Sequence, residues 1–293
     1  MTSSAILSRS AKSEPAGGFG PVATLPPGAV RLVGGAPAAE ALLTGELAAA
    51  FTTALAGATA LQYSVAPGIE PLRGWIAEHE LSGADRARAV ALAGRYGFLV
   101  ISDNPYRSLR FAGAEVPDLP LDSEAVVRVN TFSQTLGPGL RSGWIAAPEW
   151  LLPVLTRLRA NVDQHSSLLT QTALAGVLTV PGFFDGVLRT ARELYRERSG
   201  VLTAALRSRL GERVAFDVPE GGIFLWMRAT EPALDLVALR ERARALGVEF
   251  ALGRYFDPEG AGGHTDRIRL GFSNASGADI ELGVERIAAA WVA

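Results

Sequence analysis

Residues 131–144 read TFSQTLGPGLRSGW, and the prediction of the fold starts from this stretch. It follows AVVRVNT, a short apolar run with the length of a strand. The Gly-Pro-Gly at 137–139 predicts a tight turn by its composition. Small hydroxyl groups, one amide and one arginine therefore come together just beyond a predicted strand, a combination typical of a cofactor site.

Composition limits the classes of protein that this chain can belong to. It has 293 residues, of which 48% are hydrophobic, and a formal net charge of −2, which predicts an ordinary soluble protein without the basic surface of a nucleic-acid binder. The absence of cysteine excludes disulfides and thiolate metal sites, and no apolar run approaches the roughly 20 residues that span a bilayer. We expect a cytoplasmic protein without nucleic-acid or membrane partners. The histidines His79, His165 and His264 are too scattered to indicate a metal site.

Helical and strand patterns extend on both sides of the opening stretch. Before it, helices are predicted at 45–56, 70–79 and 81–97, the last with Ser82 as N-cap, and strands at 98–102 and 125–131. After it come a strand at 142–147, helices at about 149–177 and 183–210, strands at 213–218, 222–228 and 266–272, and helices at 235–247 and 279–291. Because continuous apolar runs suit buried parallel strands, we predict an α/β first part and an α+β last part.

Five motifs in a fixed order carry a resemblance to a known family. They are LQYSVAPGIEPLR, ISDNPYRSLRF, TFSQTLGPGLRSGW, VPEGGIFLWM and RIRLGFS. In this order they resemble the landmarks of class I/II aminotransferases, which are fold-type I pyridoxal-phosphate (PLP) enzymes. The branch most similar to the chain contains 2-aminoadipate and aromatic aminotransferases and MocR-type regulators.

The resemblance covers most of the chain from about Val33 onward and implies a domain organisation. It implies an α/β fold-type I structure with a reduced, mainly parallel central sheet, helices around it, and a C-terminal α+β small domain. The expected parts are an N-terminal arm at 1–32, a remnant of the large cofactor-type domain at 33–175, and the small domain at 176–293.

The resemblance also implies roles for four residues of a cofactor site. Asp103 matches the acid that pairs with the pyridine nitrogen, where a carboxylate keeps the ring protonated and electron-withdrawing. Tyr106 matches the tyrosine that binds the phenolic oxygen of the cofactor. Ser133 and Arg141 match phosphate ligands, and a guanidinium suits the geometry of a phosphate.

Two further matches concern the substrate and the subunit structure. Arg269 matches the arginine that clamps the α-carboxylate of the substrate. Tyr63 matches a residue that reaches the phosphate from the neighbouring subunit, which implies a homodimer. His165 has no family role, but it is the only candidate group whose ordinary pKa lies near neutrality.

Two departures from the family pattern lead us to expect that no cofactor is bound, and that PLP does not bind covalently. Gln134 stands at the position of the Schiff-base lysine, and an amide replaces neither its amine nor its proton transfer. The only lysine in the chain is Lys12. On the order of a hundred residues of the family, about a small domain, are also absent where the predicted helices at 70–79 and 81–97 nearly abut. That block carries the phosphate-binding turn at a helix N-terminus.

Three functional hypotheses follow. The first is a PLP-independent enzyme of specialised metabolism that isomerises, dehydrates or cyclises a carboxylate-bearing small molecule. Its expected acid–base residues are Asp103, Tyr106 and His165, and its expected substrate-binding residues are Arg269, Arg141, Tyr63, Ser133 and Gln134. The second is a non-catalytic ligand- or partner-binding protein, and the third is a residual PLP-dependent aminotransferase.

Structural alternatives remain open for the key residues. Asp103 and Arg141 could pair with each other as inherited scaffold, with Ser133 only capping a turn. Arg269 could point to solvent at a sheet edge. The aromatic residues of GGIFLWM are expected in the core rather than as a stacking surface.

Overall fold

The computed structural model describes residues 27–62, 64, 68–79, 87–115, 119, 122–257 and 263–292. The chain divides into two compact units. Unit 1 contains the described residues up to Gly35 together with those from Leu194 onward, and unit 2 runs from Ala36 to Glu193. The sequence places its domain boundary earlier, between 175 and 176, and that assignment stays a prediction.

The described residues form eight α-helices and nine β-strands. The helices are α1 (Thr44–Leu55), α2 (Glu70–His79), α3 (Ala87–Tyr96), α4 (Leu152–Val162), α5 (Leu168–Leu178), α6 (Phe183–Leu210), α7 (Leu236–Ala245) and α8 (Gly277–Val292). The strands are β1 (Val30–Arg31), β2 (Val100–Asp103), β3 (Val126–Thr131), β4 (Gly143–Ala146), β5 (Val214–Phe216), β6 (Phe224–Ala229), β7 (Val248–Glu249), β8 (Ala251–Leu252) and β9 (Arg267–Gly271).

Unit 2 contains a three-stranded mixed sheet in the order β2-β3-β4. β2 and β3 are parallel and end together, with Asp103 opposite Val129. β4 returns antiparallel to β3, with Gly143 opposite Thr131. A Cβ atom at Gly143 would lie 2.8 Å from the carbonyl oxygen of Asn130, so the close approach of β3 and β4 requires glycine there.

The apolar core of unit 2 lies around the turn that follows β3. Phe132 is fully buried there and its ring centroid lies 6.1 Å from that of Trp75 and 4.6 Å from that of Trp144. Leu174 of α5 and Val187 of α6 belong to the same cluster and are fully buried. The residue that follows β3 therefore anchors the strand end to the helices of unit 2.

The outer strands of the same sheet carry apolar side chains that stay exposed. Ile101 of β2 is 67% exposed and Ile145 of β4 is 48% exposed, and Leu158 and Val162 of α4 are exposed as well. The sequence predicts strands buried in the interior, whereas β2 and β4 are the edges of a small sheet. Among the described residues nothing covers these side chains, so their burial would require another segment or another molecule.

Unit 1 is built around a four-stranded antiparallel sheet in the order β5-β6-β9-β8. Alternation along the strands sends Leu225 and Met227 of β6, and Ile268 and Leu270 of β9, into the core, where each is fully buried. The helix α8 contributes a buried face of Ile280, Val284 and Ile287. β1 and β7 pair in parallel beside this core.

Several local predictions can be compared with these elements. The helix predicted at 149–177 is two helices, α4 and α5, because the chain turns between them with Gln164 in the left-handed region (φ 65°). Ser167 then caps α5 by accepting a hydrogen bond from the backbone N–H of Thr170. The predicted N-cap Ser82 lies outside the described residues.

No single helix among the described residues is both long and apolar enough to cross a membrane. The pair Leu168–Leu178 and Phe183–Arg213 meets the length and composition test only when the two are taken together, and it bends by 89° between them.

Candidate functional site

Five residues that the sequence singles out lie just beyond the ends of two neighbouring strands of unit 2. We call Asp103, Tyr106, Ser133, Gln134 and Arg141 the strand-end cluster. Because β2 and β3 are parallel, their carboxyl ends lie at the same edge of the sheet. That edge is where α/β folds place their ligands. The fold thus brings together residues that are far apart in the sequence.

Asp103 and Tyr106 lie at the end of β2. Asp103 is the last residue of the strand and is exposed. Tyr106 is half-buried, and its carbonyl oxygen accepts a 2.9 Å hydrogen bond from the N–H of Leu109 in the following 3-10 turn. The carboxylate of Asp103 is therefore presented at the sheet edge beside a turn that has a defined backbone geometry.

Thr131 at the end of β3 organises the neighbouring hydroxyl groups. Its Oγ1 accepts a hydrogen bond from the N–H of Ser133 (3.0 Å) and lies 2.9 Å from Ser133 Oγ and 3.0 Å from the carbonyl oxygen of Ser142. Ser133 therefore has a fixed position, and the network connects it to the segment that carries Arg141. The sequence did not lead us to predict a role for Thr131. A threonine directly before a turn could have indicated that its side chain caps the 3-10 turn that begins at Phe132.

Gln134 ends the 3-10 turn and carries an acceptor without a partner. Its Oε1 is buried and makes no hydrogen bond to any described residue. The backbone around it is held firmly, since the carbonyl oxygen of Phe132 accepts from the N–H groups of Thr135 (3.2 Å), Leu136 (2.8 Å) and Gly137 (3.1 Å). The amide is thus positioned at the strand end by its own turn.

Arg141 adopts a backbone conformation that arginine rarely takes. Its φ and ψ are 48° and 40°, in the left-handed region, where a side chain costs roughly 1–2 kcal/mol. Its exposed guanidinium donates from Nη1 to the carbonyl oxygen of Pro138 (3.3 Å). The alternative pairing of Arg141 with Asp103 is not found among the described residues. A strained, exposed arginine is the kind of outlier that is enriched at ligand sites.

The structure places one further predicted site residue, His165, in a different segment of unit 2. His165 lies in the link between α4 and α5, where its Nδ1 is 2.9 Å from the carbonyl oxygen of Ser166. Tyr63 lies outside the described residues, so the phosphate contact and the homodimer that it implies stay predictions. In the same sequence motif, Ser64 and Ile69 are tied to α5, because the buried amide of Gln171 binds Ser64 Oγ (3.1 Å) and the N–H of Ile69 (2.8 Å).

Unit 1 holds the remaining predicted residue, Arg269, in an aromatic setting that we call the arginine clamp. The clamp consists of Arg269, Phe224 and Phe256. The guanidinium carbon of Arg269 lies 3.9 Å from the ring centroid of Phe224 and 4.4 Å from that of Phe256, and Nη2 is 3.5 Å from the carbonyl oxygen of Val33. A Cβ atom at Gly35 would come within 2.9 Å of the Phe224 ring, so glycine makes room for the clamp.

The arginine clamp corrects one expectation from the sequence. The sequence predicts that the aromatic residues of the GGIFLWM segment are core residues, but in β6 it is Leu225 and Met227 that lie in the core. Phe224 and Trp226 instead point to the opposite, half-buried face of β6, and Phe224 stacks on Arg269. The period-2 alternation of a strand, with one face in the core, is the signal that could have separated the two pairs.

Metal ligation finds no support in the part of the chain that the structure describes. Within it, no group of three or more histidine, cysteine, aspartate or glutamate side chains could hold a metal ion. The chemistry of both sites is therefore that of hydrogen bonds, aromatic contacts and arginine.

Comparison with known proteins gives the chain a family. The family model "Aminotransferase class I and II" matches residues 84–287, more than two thirds of the chain. "Aromatic-amino-acid aminotransferase 1" of Thermococcus litoralis is 32% identical over 208 residues, which are 69% of this chain and 48% of that protein. "HTH-type transcriptional regulator TauR" of Rhodobacter capsulatus is 35% identical over 210 residues, which are 70% of this chain and 42% of that protein. The chain thus spans less than half the length of these two curated relatives.

The comparison with solved structures confirms the predicted fold. LysN, the α-aminoadipate aminotransferase of Thermus thermophilus, was solved in complex with N-(5′-phosphopyridoxyl)-L-leucine. It superposes with a TM-score of 0.82 at 24% identity, and the match covers 91% of this chain and 92% of that one. This similarity supports the fold-type I architecture.

The comparisons also correct the expectation that no cofactor is bound. That expectation rested on Gln134 and on the absent block, but the relatives and the superposed structure belong to a family that binds PLP. The PLP-independent isomerase, lyase or cyclase chemistry loses its basis with this correction. The family model covers more than two thirds of the length of this chain. The chain therefore belongs to the class I and II aminotransferases, a family of PLP-binding proteins.

Proposed function

We propose that the chain binds an amino acid or the corresponding 2-oxo acid by its carboxylate, together with a PLP-type cofactor, for amino-group chemistry of the aminotransferase type. The observation that carries this proposal is the arginine clamp. Arg269 is the sole charged residue of the clamp, and the two aromatic rings beside it restrict where its guanidinium can lie.

The clamp suits a carboxylate for a physical reason. An aromatic ring attracts the guanidinium through its face, while the N–H donors project in the guanidinium plane. A carboxylate binds to this edge with two parallel hydrogen bonds. The rings also lower the local dielectric, which strengthens the charge-assisted bonds. Arg269 would therefore fix both the position and the orientation of the ligand.

The strand-end cluster has the donors and acceptors that a PLP-type cofactor needs. Ser133 and the exposed Arg141 are donors that suit a phosphate, and Asp103 is an acceptor that suits a protonated ring nitrogen. The buried Oε1 of Gln134 adds an acceptor that the described residues leave without a donor. The residues present therefore fit the group, and we propose that they hold it.

Each residue then has a distinct task. When bound, the cofactor supplies a protonated pyridine ring that withdraws electrons from the carbon bearing the amino group. Asp103 would keep the proton on the ring nitrogen, and Ser133 and Arg141 would hold the phosphate in place. Tyr106, half-buried in the turn after β2, would donate its hydroxyl proton to the phenolic oxygen. Arg269 would orient the ligand carboxylate.

A second candidate function is ligand sensing without turnover. The observation that favours it is the 35% identity to the regulator TauR, which is as high as the identity to catalytic relatives. The amide of Gln134 also favours a sensing function, because an amide does not titrate near neutral pH and so transfers no proton. Both candidates use the same two sites, and they differ only in whether the bound ligand is converted.

Calorimetry with paired ligands tests the proposal. The full chain, incubated with PLP, would be titrated with phenylalanine and with phenethylamine, which lacks only the carboxylate. We expect phenylalanine to bind, phenethylamine to bind far more weakly, and Arg269→Gln to weaken phenylalanine by about 2–5 kcal/mol. Arg267→Gln is the matched control, since Arg267 lies on the same strand 3.8 Å from Asp266.

Three outcomes decide between the possibilities. Equal affinity for the two ligands, or an unchanged affinity in Arg269→Gln, would refute the carboxylate site. Formation of glutamate from 2-oxoglutarate, followed by mass spectrometry, would establish the enzyme. Carboxylate-dependent binding without any glutamate would leave the sensing function in its place.

A further inference from the structure

The acceptor on Gln134 is the feature of the strand-end cluster that the family roles do not explain. Its Oε1 is buried and has no hydrogen-bond partner among the described residues. A buried acceptor without a donor is destabilising, so native structures rarely keep one unless a ligand uses it. The position of Gln134 within a cluster of ligand-type residues suggests that a ligand supplies the donor.

Two sets of nearby donors are already engaged with other acceptors. Thr131 Oγ1 is engaged with Ser133 and with the carbonyl oxygen of Ser142. The backbone N–H groups of residues 135–137 all point to the carbonyl oxygen of Phe132. The only lysine of the chain, Lys12, lies outside the described residues. No described side chain therefore carries a primary amine.

The chemical form of the cofactor decides whether it can satisfy this acceptor. The aldehyde form presents a carbonyl oxygen at the reactive carbon, which is itself an acceptor and so opposes Oε1. The aminated form, pyridoxamine phosphate, presents an ammonium group at the same carbon, with N–H donors and a positive charge. A bond from an ammonium to an amide oxygen is charge-assisted and stronger than a neutral one.

We propose that Gln134 Oε1 accepts a hydrogen bond from the amino group of pyridoxamine phosphate, so that this site prefers the aminated cofactor over the aldehyde. The inference rests on the proposed cofactor site in the strand-end cluster and states which form of the cofactor the site selects. In this reading Gln134 is a specificity residue that recognises the amino group directly.

Three phosphorylated probes separate the amino group from the rest of the cofactor. They are pyridoxamine phosphate, PLP and 4′-deoxypyridoxine phosphate, which has a methyl group at the reactive carbon. Binding to the full chain would be followed by equilibrium dialysis, which requires no catalytic activity. We expect pyridoxamine phosphate to bind about 10- to 100-fold more tightly than the methyl analogue, the range for one hydrogen bond to a charged group.

Two substitutions of similar size test the role of the acceptor. Gln134→Met removes the oxygen and should weaken pyridoxamine phosphate by the same factor while changing the methyl analogue by less than about threefold. Gln134→Glu replaces the amide by a carboxylate and should preserve or increase the preference for the amine. Thermal unfolding of each variant identifies any loss of folding, and the comparison of probes on the unsubstituted chain stands without the variants.

The possible failures are distinguishable. If all three probes bind alike, or if Gln134→Met weakens them equally, the selection by Gln134 is refuted while the cofactor site remains. If PLP binds more tightly than pyridoxamine phosphate, the preference is refuted in the same way. If none of the three binds, the proposed cofactor site fails, and the inference fails with it.

Discussion

The four-stranded sheet of unit 1 and the three-stranded sheet of unit 2 hold their proposed sites in different ways. In unit 1 the alternating residues of β6 and β9 fill a closed core, and the arginine clamp stands on the opposite face of those same strands. In unit 2 the strand-end cluster lies at the edge of a small sheet whose outer strands leave Ile101 and Ile145 exposed. Core packing on the other face of β6 and β9 therefore supports the arginine clamp. The strand-end cluster depends instead on the 3-10 turn after β3 and on the hydrogen bonds of Thr131 and Ser133.

The largest effect is expected in a comparison of two substitutions, one in a strand of each sheet. Leu225→Ala on β6 removes a side chain that is 0% exposed and should lower the free energy of unfolding by about 2–5 kcal/mol. Ile101→Ala on β2 removes one that is 67% exposed and should change it by less than about 0.5 kcal/mol. Urea denaturation of the purified chain measures both.

A large decrease in the free energy of unfolding of Ile101→Ala would contradict this difference between the two sheets. It would mean that the outer strand of unit 2 is covered in solution, as the predicted homodimer requires. Sedimentation at several protein concentrations would then show whether the loss of stability accompanies dissociation. If Ile101→Ala is neutral and the protein sediments as a monomer, the homodimer prediction is wrong.

A smaller effect is expected from the hydroxyl network of unit 2. Ser133→Ala removes the hydroxyl that we propose as a donor to the cofactor phosphate, and should weaken pyridoxamine phosphate by about 1.5–3 kcal/mol, the value of a hydrogen bond to a charged group. Pyridoxamine, which lacks the phosphate, should bind with equal affinity to the unsubstituted chain and to Ser133→Ala. Ser123→Ala is the matched control, because Ser123 precedes the same strand and accepts from the N–H of Ala125. Equal losses in the two variants would mean a general effect on β3.

The smallest effect concerns the aromatic wall of the clamp. Phe256→Leu keeps an apolar side chain but removes one ring from the Arg269 guanidinium, and should weaken carboxylate binding by about 0.5–2 kcal/mol. Phe216→Leu on β5 serves as the comparison, since that ring faces Arg207 and not the clamp. Calorimetry with phenylalanine distinguishes the two. An unchanged affinity in Phe256→Leu would assign the orientation of Arg269 to Phe224 alone.

The sequence predicted the elements that are determined locally. The helix at 70–79 and the long helix at 183–210 match α2 and α6, because apolar periodicity over several turns is a local signal. The two-residue strands β7 and β8 were not predicted, since such short strands exist only through their partners β1 and β9. The break between α4 and α5 also escaped, because it contains neither glycine nor proline and depends on Gln164 adopting a left-handed conformation.

The sites were predictable to different degrees. Asp103, Ser133 and Arg141 could be named from the motifs, and the parallel pairing of β2 and β3 explains why they belong to one edge. Phe256 could not, because its role arises from its distance to Arg269, a contact between segments that the sequence does not specify. The expectation of an absent cofactor rested on Gln134 and on the absent block, and it was wrong because the family to which the chain belongs binds PLP.

The left-handed backbone of Arg141 sets two selection pressures against each other at one position. Glycine would adopt the same φ of 48° without steric cost, and would relieve roughly 1–2 kcal/mol of strain. It would also delete the guanidinium. Laboratory evolution that selects for heat resistance alone should therefore favour glycine at this position. The resulting protein should have a higher thermal stability and a lower affinity for anions. Evolution that rewards ligand retention should keep the arginine and recover stability elsewhere in the chain.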